Sequence, residues 1–266
     1  MASFLRKLFR RNKKAPLVCS VTLGPDGNPL NEDPSHVHTS ACFVSFEPLA
    51  VLELFQSQGC AACPKALPVI HTSAAAQPNL LVLTFPVTLF DHLGWKDTLA
   101  TSASDSRQRA YISKWNRASI STPHIVVNGI VDASGAQEKA DLEGLVDRAR
   151  GMQRSMDWHI YVDANDTHIR IDSDKPLTEG EKPYDITAVV YKAGDETVKA
   201  GKGPNKGKKV PHRNVVQNVM KVGEWTGGDV EVALPMARSA MQHGLDAVVL
   251  VQQGGAGGPI VGATKL

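Results

Sequence analysis

Cys60 and Cys63 are separated by two residues in the run Gly59-Cys60-Ala61-Ala62-Cys63-Pro64, between an apolar stretch, VLELF, and a stretch with helical character, KALPVIHTSAA. A CxxC pair at the start of a helix is the arrangement of a dithiol centre. The unpaired N–H groups and macrodipole of a helix start favour a thiolate, so a thiol that ordinarily titrates at about 8.5 is acidified toward roughly 7 or lower there. Cys60 is therefore the expected nucleophile, and Cys63, one turn on, the resolving thiol.

The same spacing also makes half of a four-cysteine zinc site, or a purely structural disulfide. A second CxxC is missing, since Cys19 and Cys42 stand alone, and His36 and His38 near Cys42 lie in a Pro-rich lead-in without paired spacing. The redox reading is the stronger one, and no metal is expected.

Other elements must position the pair. VLELF reads as a buried strand, LLVLTFPV (80–87) as a second, 104–117 as a helix, HIVVNG as a strand ending in an Asn128-Gly129 turn, and 135–152 as a closing helix. That order, βαβαββα, is the order of the thioredoxin fold. In that fold a proline before the third strand is cis and lies beside the dithiol, and Pro123 is at the matching place, with Thr122 offering its backbone to an extended substrate. Glu53, seven residues before Cys60 in an apolar strand, is a candidate to shuttle the proton of Cys63. Trp95, Arg107 and Tyr111, with Lys96, Asp97 and Gln108, are expected to wall the cleft and bind substrate; the aromatics also suit a core. His92 and His124 are weaker candidates to assist thiolate formation.

From Asp157 the hydrophobic period becomes two (Trp158, Ile160, Val162; Ile186, Ala188, Val190; Val230, Val232, Leu234), with turn residues every 8 to 12 positions. This predicts an antiparallel β sandwich of seven or eight strands. The expected fold is thus an α/β thioredoxin-like domain over 49–153 and an antiparallel β-sandwich-like domain over 154–266, after an unstructured arm and lead-in, 1–48. The run GKGPNKGKKVPHR lacks the Ser or Thr of a P-loop, and Lys206, Lys208, Lys209 and Arg213 suit either a solvated hairpin tip or a loop that docks an anion or a partner. Asn205, His212 and Asn214 are candidates to tie the two halves together.

Composition bounds the rest. With 266 residues, 42% hydrophobic and 21% charged, the chain is globular rather than disordered. The net charge of +2 conceals six Lys/Arg and no acid in residues 1–25, leaving 23 basic against 27 acidic residues beyond them. A body that is net negative argues against nucleic acid as a partner. No apolar run reaches the 18 or so residues of a spanning helix. The amphipathic arm MASFLRKLFRRNKKAP is a solvated tail, a mitochondrial presequence, a nuclear signal or a membrane-surface contact. It has no secretory h-region, so the expected location is cytoplasmic, with mitochondrial as the alternative.

The chain resembles the thioredoxin-like family known as domain of unknown function 1223. The resemblance is carried by VLELFQSQGCAACP, DHLGWKDTLA, SRQRAY, STPHIVVNG, GPNKGKKVPHRNVV and GGPIVGATKL, in order over 49–266. It implies a thioredoxin-like domain with a C-terminal β domain, and gives a fold more securely than a reaction. Family members are mainly secreted bacterial proteins, whereas here a basic arm stands where a signal peptide is expected. The expected function is thiol–disulfide exchange on protein or low-molecular-weight disulfides, without a cofactor. A non-enzymatic docking module and a CxxC metal site are the alternatives.

Overall fold

The computed structural model describes residues 47–134, 139–176, 180 and 182–266. Strand β1 (Ala50–Gln56) is buried at every position, which accounts for its nearly unbroken apolar sequence. Helix α1 (Cys63–Ala75) leads to β2 (Leu80–Pro86), which pairs parallel to β1 with Glu53 opposite Leu83. Helix α2 (Ser102–Lys114) precedes β3 (His124–Val127), antiparallel to β1 on its other side. β4 (Val131–Ser134) returns along β3 through Asn128-Gly129, both at positive φ (50° and 60°), as a two-residue hairpin turn demands. Helix α3 (Lys139–Arg154) follows.

Alternation along β1 sets up two cores. Leu52 and Leu54 pack with Cys60, Cys63, Leu67 and Ile70 of the dithiol and α1 and with Leu145 and Val146 of α3. Val51 and Phe55 face the opposite way, toward Phe85, Tyr111, Val248 and Leu250.

β7 (Tyr184–Lys199) and β8 (Lys209–Trp225) form a long antiparallel hairpin, and β10 (Leu245–Gln253) and β11 (Ile260–Lys265) extend it. β8 also joins β2 in parallel at Thr84–Val215, giving one mixed eight-stranded sheet in the order β11-β10-β7-β8-β2-β1-β3-β4. This corrects the expected fold. Instead of an α/β thioredoxin-like domain followed by a β-sandwich-like domain, strands from both halves share a single sheet, and Pro48–Leu266 is one compact unit. The physical reason is at β2, whose outer edge would present unpaired backbone groups to water. β8 covers that edge, and the seam is fastened by side chains: Asn214 Nδ2 donates to Val82 O (2.9 Å) and Thr84 Oγ1 donates to Arg213 O (2.5 Å).

β5 (Ile160–Ala164), β6 (His168–Ser173) and β9 (Val230–Ala233) form a separate three-stranded sheet in the order β5-β6-β9. A third core lies between its Val162, Ile169 and Ile171 and the large sheet's Ile186, Trp225, Val249 and Val251. Among the described residues no helix is long and apolar enough to cross a membrane.

Two histidines are enclosed where α1 packs on β8. Burial pushes His71 down to about 4, with Arg213 and His212 adding to the effect and Asp195 opposing it. Burial likewise pushes His212 down to about 4 against Glu196. Both are neutral at pH 7. As the pH falls below the ordinary 6.5, the unfolded chain takes up protons that the folded chain cannot. Stability is therefore complete above 6.5 and is lost progressively down to 4, by on the order of 3 kcal/mol for each histidine. Urea midpoints measured from pH 7.5 to 4 should fall steeply in this window, and His71→Gln should flatten the slope. A midpoint that is level from pH 7 to 5 would show that these rings are not held neutral.

Candidate functional site

Helix α1 begins without a side-chain cap: Ala62 is its N-cap residue, Pro64 is in its first turn, and no acid is there to meet its free N–H groups. The sulfur of Cys60 takes that place, accepting from Cys63 N at 3.3 Å, while its thiol donates to Thr122 O at 3.2 Å. Both cysteines are free thiols, 2% and 0% exposed. Their protons are held unequally. The thiol of Cys63, donating to Cys60, lowers Cys60 most, and the Thr122 side chain and the N–H groups of Cys63 and Ala62 lower it further; against the opposing effect of burial, Cys60 is brought to about 6. Cys63 is pushed up by that same hydrogen bond and by burial. Thr122 Oγ1 is buried without a partner beside this sulfur, a hydroxyl free to donate to a thiolate. The Thr122–Pro123 bond is cis.

The loop before the dithiol is held from three directions. Asp97 Oδ2 accepts from Gln58 N at 2.7 Å, and Asp97 Oδ1 from Leu99 N and Ala100 N. Trp95 Nε1 donates to Gln58 Oε1 at 2.9 Å. From the far half of the chain, the fully buried Asn205 donates through Nδ2 to Gln58 O (2.9 Å) and Cys60 O (2.6 Å). Asn205 sits in a short 3-10 turn, Gly203–Asn205, at the tip of the β7–β8 hairpin. Trp95 packs against that tip, where a Cβ on Gly201 would come within 2.6 Å of its ring.

Of the site residues expected from sequence, Cys60, Cys63, Thr122 and Pro123 come together, with Trp95 on the adjoining loop. Glu53, Arg107 and Tyr111 do not join them. Glu53 lies on the face of β1 opposite Leu52 and Leu54, which pack against the thiols, so its carboxylate points away from Cys60 and Cys63. There it is fully buried, bonded to Arg107 Nε and Tyr111 Oη. Arg107 also donates to Gln252 Oε1 (3.0 Å), and Gln252 Nε2 donates to Tyr111 Oη (3.2 Å) and Gly258 O (2.7 Å). Arg107 and Tyr111 are 5% and 0% exposed, interior groups rather than a cleft wall. His124 is buried and contacts Gln108 and Asp132, whereas His92 is exposed. Asp97, expected in the cleft wall, instead scaffolds the dithiol loop together with Gln58, whose only sequence signal was its place in VLELFQSQGCAACP.

Among the described residues no cluster of three His, Cys, Asp or Glu side chains could hold a metal. Cys19, Cys42, His36, His38 and the basic arm lie outside the described residues.

A free dithiol at a helix start, beside a mixed eight-stranded sheet and touched by the tip of a long β hairpin, defines a class of mostly β, dithiol-bearing proteins. The chain belongs to the family described as protein of unknown function (DUF1223), matched over residues 51–252. Among solved structures it is similar to AGR_C_4864 of Agrobacterium tumefaciens, with 27% identity and a TM-score of 0.60 over 84% of this chain and 96% of that one. It is also similar in fold to HBP35 of Porphyromonas gingivalis, with 13% identity and a TM-score of 0.50 over 84% of this chain and 76% of that one. No curated protein matches it.

Proposed function

We propose that this protein is a thiol–disulfide oxidoreductase acting on protein or low-molecular-weight disulfides. The observation that carries the reading is the placement of two free thiols at the uncapped start of α1, where the Cys60 sulfur accepts from Cys63 N at 3.3 Å; this arrangement lowers Cys60 to about 6 and raises Cys63. At pH 7 such a nucleophile is about nine-tenths thiolate, against a few per cent for an unperturbed cysteine. The Cys60 thiolate attacks one sulfur of the substrate disulfide, the substrate S–S bond breaks, and the departing thiolate takes up a proton. Formation of the Cys60 mixed disulfide removes the charge that kept Cys63 protonated. Cys63 then loses its proton and attacks the Cys60 sulfur, releasing the second substrate thiol. Two electrons pass to the substrate with two protons, one from Cys63 and one from solvent because Cys60 starts as the thiolate, and the chain is left with a Cys60–Cys63 disulfide. In a compartment where glutathione keeps thiols reduced, the net direction is substrate reduction.

One observation favours a rival. Both sulfurs are covered, so a dithiol that never turns over, in a module that only docks a partner, fits the burial equally well. A redox titration of the full chain across glutathione buffers, with alkylation and mass mapping of each cysteine, separates the two. The exchange reading expects a Cys60–Cys63 couple with a midpoint between about −120 and −280 mV, the span of known exchange proteins. A pair that stays reduced or stays oxidised at every buffer ratio sinks it in favour of the docking module.

A further inference from the structure

The tip of the β7–β8 hairpin, residues 199–209, carries Lys199, Lys202, Lys206, Lys208 and Lys209 and no acid. All five are exposed, and among the described residues none forms an ion pair with a carboxylate. Such a run on a solvent-facing turn ordinarily needs no explanation. This one is fastened to the nucleophile. The buried Asn205 reaches the Cys60 carbonyl with one end of its amide, and its Oδ1 accepts from Lys208 Nζ at 3.2 Å. The Lys208 ammonium is thus linked by two hydrogen bonds, through the Asn205 amide, to the backbone carbonyl of Cys60. Trp95 packed on Gly201 and Gly203 also holds the tip.

The rest of the rim does not offset this charge. Ala61 and Ala62 are exposed and neutral, and Lys65 and Lys96 are exposed and add to it. The carboxylates of the adjoining loop, Asp91 and Asp97, accept from backbone N–H groups and are outnumbered by these seven lysines. A positive rim is therefore fastened to the loop that carries Cys60, on a body that carries more acids than bases beyond residue 25.

Resting on the exchange reading above, we propose that the lysine tip selects the substrate: disulfides that bear carboxylates beside their sulfur atoms, as in acidic peptide segments, are preferred to neutral or cationic ones. The attraction raises the encounter rate and places the substrate disulfide over Cys60; the chemistry is the two-electron exchange already described, from dithiol to disulfide, with no further reactant. Steering of this kind changes association rates by roughly tenfold or more and fades with salt.

The test is single-turnover oxidation of the reduced full-chain protein by three cystine-linked peptide dimers that differ only in carrying Glu, Gln or Lys on both sides of the cysteine. The expected result at low salt is a rate order Glu over Gln over Lys. The Glu-to-Lys ratio should fall at least tenfold in the variant Lys202→Glu/Lys206→Glu. Salt gives the same answer without mutation: raising it to 0.5 M, where the Debye length is only about 4 Å, should slow the Glu dimer and speed the Lys dimer. Equal rates for the three dimers, or a Glu-to-Lys ratio unmoved by both charge reversal and salt, overturns the selectivity while leaving exchange standing. If no dimer oxidises the dithiol, the exchange reading itself falls and this inference with it.

Discussion

Replacing Cys60 by Ser should abolish disulfide exchange to the limit of detection, while Cys63→Ser should still attack and then stall as a covalent adduct with its substrate. The two sulfurs are three residues apart in one turn, but only Cys60 accepts from a backbone N–H at the helix start, and only Cys60 is brought down to about 6. A serine hydroxyl at position 60 is not ionised at neutral pH and cannot replace it. Without the resolving thiol, the mixed disulfide has no internal exit. Non-reducing mass analysis after mixing with a cystine peptide reads both outcomes. Exchange that survives in Cys60→Ser, or the absence of any adduct in Cys63→Ser, would remove Cys60 as nucleophile. A third variant tests the electrostatics. Because the Cys63 thiol is the largest influence lowering Cys60, Cys63→Ala should move the pH midpoint of Cys60 alkylation up from about 6 toward the ordinary thiol range. Thr122 and the N–H groups of Cys63 and Ala62 would hold it only part of the way down.

The dithiol was legible because its cues are local: an apolar run, a turn, CxxC and Pro64 within 14 residues. The place of Glu53 was not. Six residues separate it from Cys60, but three of them, Ser57, Gln58 and Gly59, are loop, and the strand's period of two cannot be carried through a loop to say which face meets the thiols. The packing of α1 decides it, and α1 lies against Leu52 and Leu54. The joining of the two halves into one sheet was hidden for a related reason. Alternation over Ile186, Ala188 and Val190 states that a strand is covered on one face, and says nothing of which strand lies along its edge. β8 is 17 residues long, and the stretch that pairs with β2 carries Asn214 at φ 49° and the charged Arg213, a sequence that does not read as the interior of a sheet. Asn205 was visible as a candidate tie between the halves, and its amide does bridge them, whereas Gln58, an ordinary polar residue, gave no sign that its backbone and side chain would anchor Trp95, Asp97 and Asn205 together.

Glu53 is expected to matter for a different reason than proton transfer. Glu53→Leu should cost about 3–5 kcal/mol of stability, since it leaves the buried Arg107 guanidinium without its carboxylate. Burial works against the charge of Arg107, and Glu53 more than offsets it, holding its pKa above the usual value. The guanidinium also stands 5.5 Å from the Phe85 ring centroid and 5.8 Å from that of Tyr111. Tyr111, raised by burial and by Glu53, keeps its proton and donates it to the carboxylate. Through Gln252 the cluster reaches β10 and the turn at Gly258, so one carboxylate links β1, α2 and the far end of the sheet. The paired substitution Glu53→Leu/Arg107→Met should recover much of the loss, because two apolar groups of similar size bury no uncompensated charge. Denaturant unfolding of the two single variants and the pair measures the coupling. The milder Glu53→Gln then decides between a structural and a catalytic carboxylate. On the opposite face of β1 it should lower the unfolding midpoint and leave the Cys60 alkylation midpoint near 6. A displaced thiol titration in a stable Glu53→Gln protein would mean that the carboxylate communicates with the dithiol across the strand.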